Sequence, residues 1–403
     1  MPRNSPFATR AARVTLVMSC LFSTSGMILV FLPRWLEVAR GLEGAQIGAV
    51  LSLVQFMRIF TGPALAFWAD SAADRRTPIR ALSFGAVIAY AAFFLVARDF
   101  WQLMVLGLLA LSLTSGVTPF VEGATLRATA EGKFSYGVAR GIGTISFIAA
   151  NVIGGALIDR IGVGAVVIWS LTSLVCLVGA SWLGLPGDPA PPGARGRTRR
   201  AQFSSIGALL RNRRFLILIV ACGLIQAGHG FYYSFSTLSW RAQGISADTV
   251  GLLWGLGGIA EVAFLWSLPL IEKRLSPEAM ILAGAGGGFV RWIVMGFAPT
   301  GFVLWPLQVL HCLSFAAAHV GAMRLLYRYT PEENAGMGQT LYAALSGGLL
   351  MGCSTLLSGY LYDAIQARGY WAMAGAAFVG GVLALQLLAP VTRRPEPAKQ
   401  AVP

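Results

Sequence analysis

The octet GLEGAQIG (Gly41–Gly48) returns 203 positions later as GISADTVG (Gly244–Gly251), and each copy separates two long apolar runs. The same shift lays Arg58 on Glu261, so both copies carry a charge in the middle of an otherwise apolar segment. Two more matches follow in order. EGATLR (Glu122–Arg127) falls on HVGAMR (His319–Arg324), with Glu122 on His319, and GGALID (Gly154–Asp159) falls on SGYLYD (Ser358–Asp363). Three ordered matches with similar shifts read as two homologous halves. Paired halves of this kind typify secondary transporters, with a site at the midplane between them.

The 403 residues are 56% hydrophobic and only 12% charged, against roughly 25% charged in soluble domains. At about 20 apolar residues per crossing, twelve spans are expected: 14–36, 45–67, 78–97, 100–121, 136–158, 163–185, 214–238, 246–270, 278–298, 301–323, 336–361 and 370–390. The fold class is therefore an all-α membrane protein with twelve transmembrane helices in two pseudo-symmetric six-helix bundles. Pro63, Pro119 and Pro306 within spans are compatible with this, because neighbouring helices satisfy the backbone groups a proline frees. The basic start (Arg3, Arg10, Arg13) runs into a span too long for a signal-peptide core, so no cleaved leader is expected. The Pro-, Gly- and Arg-rich stretch LPGDPAPPGARGRTRRAQFSSIGALLRNRR (Leu185–Arg214) divides the spans six and six. The expected organisation is a bundle at 1–185, a cytoplasmic linker at 186–213, a second bundle at 214–392 and a tail at 393–403.

A net charge of +14 raises the question of a polyanionic partner, but the basic residues sit in short loops, not on one surface with polar and aromatic neighbours. No nucleic-acid partner is expected. The loops on one side hold Arg75, Arg76, Arg80, Arg127, Lys133, Lys273, Arg274, Arg328 and the run from Arg195 to Arg214, while the other side holds Arg34, Arg40, Arg98, Arg160, Arg241 and Arg368. That bias orients the chain in a cell (inner) membrane with both termini cytoplasmic. Cys20, Cys176, Cys222, Cys312 and Cys353 lie singly in apolar runs, without the close pairs of a metal or redox site. Neither a metal nor a cofactor is expected.

Function is sought in the ionisable residues inside the spans: Arg58, Glu122, Arg140, Glu261, Arg291 and the histidines His229, His311 and His319. At about 2.5–3.5 kcal/mol for each charge at a helix centre, the five charged ones would together cost on the order of 12–17 kcal/mol if unpaired. They must pair with one another or line a wet cavity. A desolvated glutamate beside an arginine can switch protonation as access alternates, and histidine titrates nearest neutrality. Glu261, Arg291 and His319 are thus the expected proton-coupling residues. His229 and His311 have weaker support, since His319 alone lies opposite Glu122 in the repeat. Arg58, Glu122 and Arg140, with the aromatic side chains of Tyr232, Tyr233 and Trp254, are the expected substrate-binding residues. Three arginines against two glutamates leave one cation for an anionic group on the substrate.

The twelve spans, the two halves and the loop FWADSAADRRTPIR (Phe67–Arg80) resemble the major facilitator superfamily, which assigns Asp70 a gating role. YGVARGIGTISF (Tyr136–Phe147), FYYSFSTLSWRAQGISADTVGLLWGLGGIAEV (Phe231–Val262) and LHCLSFAAAHVGAMR (Leu310–Arg324) resemble its phenylpropionate permease group, which is related to the lactose and nucleoside proton symporters. The resemblance covers almost the whole chain. It implies substrate binding by a glutamate in span 4 and an arginine in span 5, and proton coupling in spans 8 to 10. Glu122, Arg140, Glu261, Arg291 and His319 match in kind and span, but after His319 the next ionisable residue is Arg324, so a second span-10 carboxylate is missing.

The expected function is proton-coupled symport of a small organic solute, an aromatic or other carboxylate, by a monomer with the bilayer and protons as its other partners. Proton antiport for efflux, symport of a neutral sugar or nucleoside, and a membrane sensor that does not transport remain alternatives. ATP-driven pumping is disfavoured because no G-x-x-x-x-G-K-[ST] occurs. An enzyme is disfavoured because no nucleophile with a base and no metal-ligand cluster is evident.

Overall fold

In a computed structural model the described residues are 10–130, 135–185, 187–188, 206–207, 209–331 and 334–388. The tail and most of the linker expected from the sequence lie outside them. The described chain is helical with short turns. The first half forms α1 (Arg10–Arg40), α2 (Gly44–Ser71), α3 (Arg76–Val96), α4 (Phe100–Ala130), α5 (Tyr136–Ile161) and α6 (Gly164–Gly184). The second half forms α7 (Arg213–Ala242), α8 (Ala247–Ile271), α9 (Pro277–Met295), α10 (Gly301–Tyr329), α11 (335–365) and α12 (Tyr370–Leu385).

By length and apolarity these residues hold 11 candidate membrane spans rather than twelve, because the last runs unbroken from Gly336 to Leu388. That run doubles back at Gln366, whose φ of 53° is left-handed. Along α7, contacts with α11 advance from Gly223 (at Ser346) to Phe235 (at Tyr362), whereas α12 returns from Tyr370 (at Phe231) to Gly380 (at Ala221). Two antiparallel crossings thus share one apolar run.

Local chemistry sets the helix starts. Ser135 accepts from the Val138 amide, Ser276 accepts from Ala279 ahead of Pro277, and Asn212 accepts from Arg214 and Phe215, so each side chain satisfies amides the helix leaves open. At the end of the first bundle that carries the linker, Asp188 takes Arg10 Nη2 at 2.9 Å and Arg127 Nη2 at 2.7 Å. Asp74 accepts from the amides of Arg76 and Asp188 and pairs with the Arg76 guanidinium. Burial pushes the Asp74 carboxyl up, but these donors outweigh it and hold the group below the usual carboxylate range.

The two bundles meet along two seams related by the repeat, α5 against α8 and α2 against α11. A Cβ on Gly155 would stand 2.2 Å from the Ala247 carbonyl oxygen, and one on Gly251 2.1 Å from that of Asn151. In the other seam a Cβ on Gly359 would stand 2.5 Å from the Gly44 carbonyl oxygen. The octets of the repeat are therefore the places where backbone touches backbone, which requires glycine.

Closure stops halfway. Five helical turns, 18 residues, return a position to the same face. Gly137 lies that far from Gly155, and Gly62 that far from Gly44, yet a Cβ at Gly62 meets nothing within 4 Å and one at Gly137 meets only Ser135 Oγ at 3.9 Å. In the linker-side half of α8, Leu265, Trp266 and Ser267 are consecutively exposed, and the face of Glu261, Phe264 and Leu268 is only half-buried. The bundles are clasped at the far end and parted at the end that carries the linker.

Candidate substrate and proton site

At mid-depth the helices of the second bundle depart from regular α geometry. Gly228 and His229 interrupt α7 with a turn, and α10 carries a π-helical stretch, Cys312–Ala317. Wide turns free carbonyls for side chains, and here the Phe315 carbonyl accepts from Gln226 Nε2 at 3.2 Å. Such irregularity within a membrane is tolerated where protein or a water-filled cavity satisfies the backbone.

Arg291, on α9, is fully buried at this level. Its Nη2 donates to Gln308 Oε1 at 2.9 Å, its Nη1 bonds His311 Nδ1 at 3.0 Å and reaches Ser314 Oγ at 3.4 Å, and its guanidinium lies over the rings of Tyr232 (4.3 Å) and Trp292 (4.5 Å). Gln308 Oε1 also accepts from the Tyr232 hydroxyl at 3.0 Å, and Tyr232 stacks on Trp254 at 4.5 Å. No carboxylate among the described residues touches this cation. Neutral acceptors and aromatic faces hold it instead.

The network dictates the histidine tautomers. A guanidinium can only donate, so His311 Nδ1 must be the unprotonated nitrogen and the ring proton sits on Nε2. That Nε2 lies 4.0 Å from Glu261 Oε2 on α8. In His229 the Nδ1 donates to the Gln226 carbonyl at 3.1 Å, and its Nε2 lies 3.2 Å from Ser314 Oγ. His311 is neutral while Arg291 is in place, and it carries the arginine's polarity to Glu261.

The first bundle faces this cluster with a different set. Arg140 Nη1 bonds Glu122 Oε1, and the Arg140 guanidinium lies 4.7 Å over Phe22. These side chains are 40% and 34% accessible, so the pair opens onto the gap between bundles. Arg58 lies about 180–200° around α2 from Phe60 and Phe67, which are 70% and 74% exposed and mark the lipid side. It is itself exposed, and it has no hydrogen bond or ion pair among the described residues. Arg58 is a free cation facing the interior.

The structure thus brings Tyr232, Trp254, Glu261 and Arg291 together, pairs Glu122 with Arg140, and leaves Arg58 alone. Tyr233, half-buried, packs 5.5 Å from His229 and 5.9 Å from Trp254. His319 stands apart from Arg291 and Glu261. It is exposed, stacked on Phe315 at 6.1 Å, and Phe315 in turn stacks on His311 at 5.3 Å. Asp70 falls in the last turn of α2, where its side chain lies outside the described residues. Gln308, Ser314 and the bridging place of His311 were not singled out from the sequence. Their spacing, a polar residue every third position in an apolar run, is the signal that could have found them.

Residues 13–373 match the MFS_1-like family. The chain belongs to that family. This MFS_1-like protein is a transporter of the major facilitator superfamily, a multi-pass membrane protein that moves a small molecule across the bilayer. It is 28% identical over 357 residues to the probable 3-phenylpropionic acid transporter of Escherichia coli (strain K12), covering 88% of this chain and 91% of that one. It is 21% identical to the uncharacterized transporter YwbF of Bacillus subtilis (strain 168), covering 89% and 88%. Its fold matches the solved nucleoside transporter NupG with a TM-score of 0.85 at 15% identity, over 94% of this chain and all of the other. An auto-inhibited peptide transporter of the POT family follows the same fold, with a TM-score of 0.70 at 14% identity, over 96% of this chain and 98% of the other.

Proposed function

We propose that this transporter is a proton symporter that imports a small aromatic or other carboxylate across the cell's inner membrane. Its termini face the cytoplasm, as the excess of Lys and Arg on the linker side favours. The linker end is then the inner end, and a chain clasped at the far end and parted at the linker end is open inward. One observation carries the coupling. Glu261 is the carboxylate beside His311 Nε2, and the other ring nitrogen is engaged by Arg291.

His311 cannot take a second proton without breaking its bond to Arg291, so the mobile proton belongs to Glu261. An ionised Glu261 and an anionic substrate in one low-dielectric cavity repel each other, and protonation of Glu261 removes that repulsion. By linkage, a bound anion raises the proton affinity of Glu261 to the same extent. Arg58, free and facing the interior, supplies the charge-assisted donor for the substrate's carboxylate. Glu122 holds Arg140 in an ion pair, and Tyr233, the aromatic of this group that is not buried, offers a face for a ring. The name of the Escherichia coli relative describes such a molecule, a phenyl ring on a short acid. The proposed site is complete within one chain, in keeping with a monomer.

Purified protein in liposomes, given an inward proton gradient, should accumulate 3-phenylpropionate. It should not concentrate the corresponding amide or a nucleoside. Equal accumulation of acid and amide would contradict the assignment of substrate class.

A further inference from the structure

Among the described residues, five hydrogen bonds cross between the bundles, and all lie at the far end. One is from Thr237 Oγ1 to the Val30 carbonyl at 2.6 Å. The other four end on two carboxylates, which close the two copies of the GGALID/SGYLYD match. Asp363, at the end of α11, accepts from the amides of Gly44 (2.8 Å) and Ala45 (2.7 Å), the first residues of α2. Asp159, at the end of α5, accepts from the amide of Asp248 (2.9 Å) in the first turn of α8 and from Arg241 Nη1 (3.0 Å) at the end of α7.

A helix start carries unsatisfied amides and partial positive charge, so a carboxylate placed there is held by hydrogen bonds and by the helix dipole. Caps normally come from the residue just before the helix. Here each helix start also takes a carboxylate from the opposite bundle, 319 and 89 residues away in sequence, and at α2 this adds to a local capping box of Glu43 and Gln46. Glycine contacts alone are apolar surfaces that separate without leaving a charge behind. Parting either seam with its aspartate in place strands a carboxylate from its amides. We propose that Asp159 and Asp363 are paired latches of the far gate, positioning residues whose bonds must break together for the transporter to open to that side. The latches differ in one respect. Asp159 is also held by Arg241, which ties it to the end of α7 and donates to the Ile245 carbonyl as well, whereas Asp363 has amide donors alone.

Which side of the membrane the gate serves rests on the orientation proposed above, and the test separates the two. In the full chain with the five native cysteines replaced, Thr355→Cys places a thiol at a buried position of α11 whose carbonyl meets Gly48 in the clasped seam, and Gly137→Cys places one at the parted end. Alkylation by an impermeant maleimide is timed in right-side-out and inverted vesicles. Removing both caps by Asp159→Ala with Asp363→Ala should speed labelling at position 355 about tenfold or more and slow it at 137. Either single change should give a smaller effect of the same sign. Asp363→Asn, which keeps one acceptor oxygen and serves where the alanine variant fails to insert, should fall between. Labelling of position 355 that is unchanged without the caps, or that rises together with labelling at 137, overturns the latch. If the faster labelling of 355 is seen from the inner side, the latch stands and the proposed orientation falls.

Discussion

Arg140 in the first bundle and Arg291 in the second are intramembrane cations in opposite settings. Arg140 is open to the gap and paired with Glu122. Arg291 is fully buried and held by Gln308, His311 and two aromatic faces. A paired, hydrated cation is weakly held and easily re-partnered, whereas a buried one must be satisfied at all times. The first bundle is thus suited to meeting a substrate that comes and goes. The second is suited to holding a fixed positive potential, against which the proposed symport would have Glu261 gain and lose a proton. The seams, in contrast, are alike in both halves, which is what closing one gate symmetrically requires.

The largest effect expected from breaking this division is at Arg58. Replacing the free cation by Arg58→Gln removes a charge-assisted bond worth about 1.5–3 kcal/mol, so the affinity for a carboxylate substrate should fall about tenfold to a hundredfold. Binding of an amide analogue should change little, and substrate protection in a binding assay checks both. A smaller effect is expected in the second bundle. Gln308→Leu leaves Arg291 Nη2 and the Tyr232 hydroxyl without their shared acceptor, at a cost of about 1–3 kcal/mol in stability. Thermal unfolding in detergent should register that loss, while carboxylate affinity stays near its starting value if the division of labour is right.

Much of this was legible in the sequence. The two octets named the seams, because backbone contact between helices demands small residues wherever it occurs, and the matched aspartates turned out to cap the partners of those seams. The intramembrane charges named the cavity, because an unpaired charge in hydrocarbon is too costly to sit elsewhere. The histidines were harder to place. The repeat points to His319, but alignment compares positions along the chain, whereas the cluster depends on how α9 and α10 pack. Gly284 lets α9 approach the π-helical stretch of α10, where a Cβ would stand 2.9 Å from the Leu313 carbonyl oxygen, and this brings Arg291 to His311. Neither the wide turn nor the break at Gly228 has a mark in hydropathy. The twelfth crossing was legible as an apolar stretch, yet the reversal at Gln366 that separates it is a backbone event without a proline or a charge cluster.

The measurement that reaches the centre of this account is substrate movement by Glu261→Gln in proteoliposomes, read as accumulation down a proton gradient and as exchange between labelled and unlabelled acid. Glutamine imitates the protonated carboxyl and cannot release a proton. The variant should therefore exchange substrate at a rate near that of the native protein and fail to accumulate it under a gradient. Accumulation by Glu261→Gln at the native level, with proton flux still accompanying the substrate, would contradict the assignment of the coupled proton to Glu261.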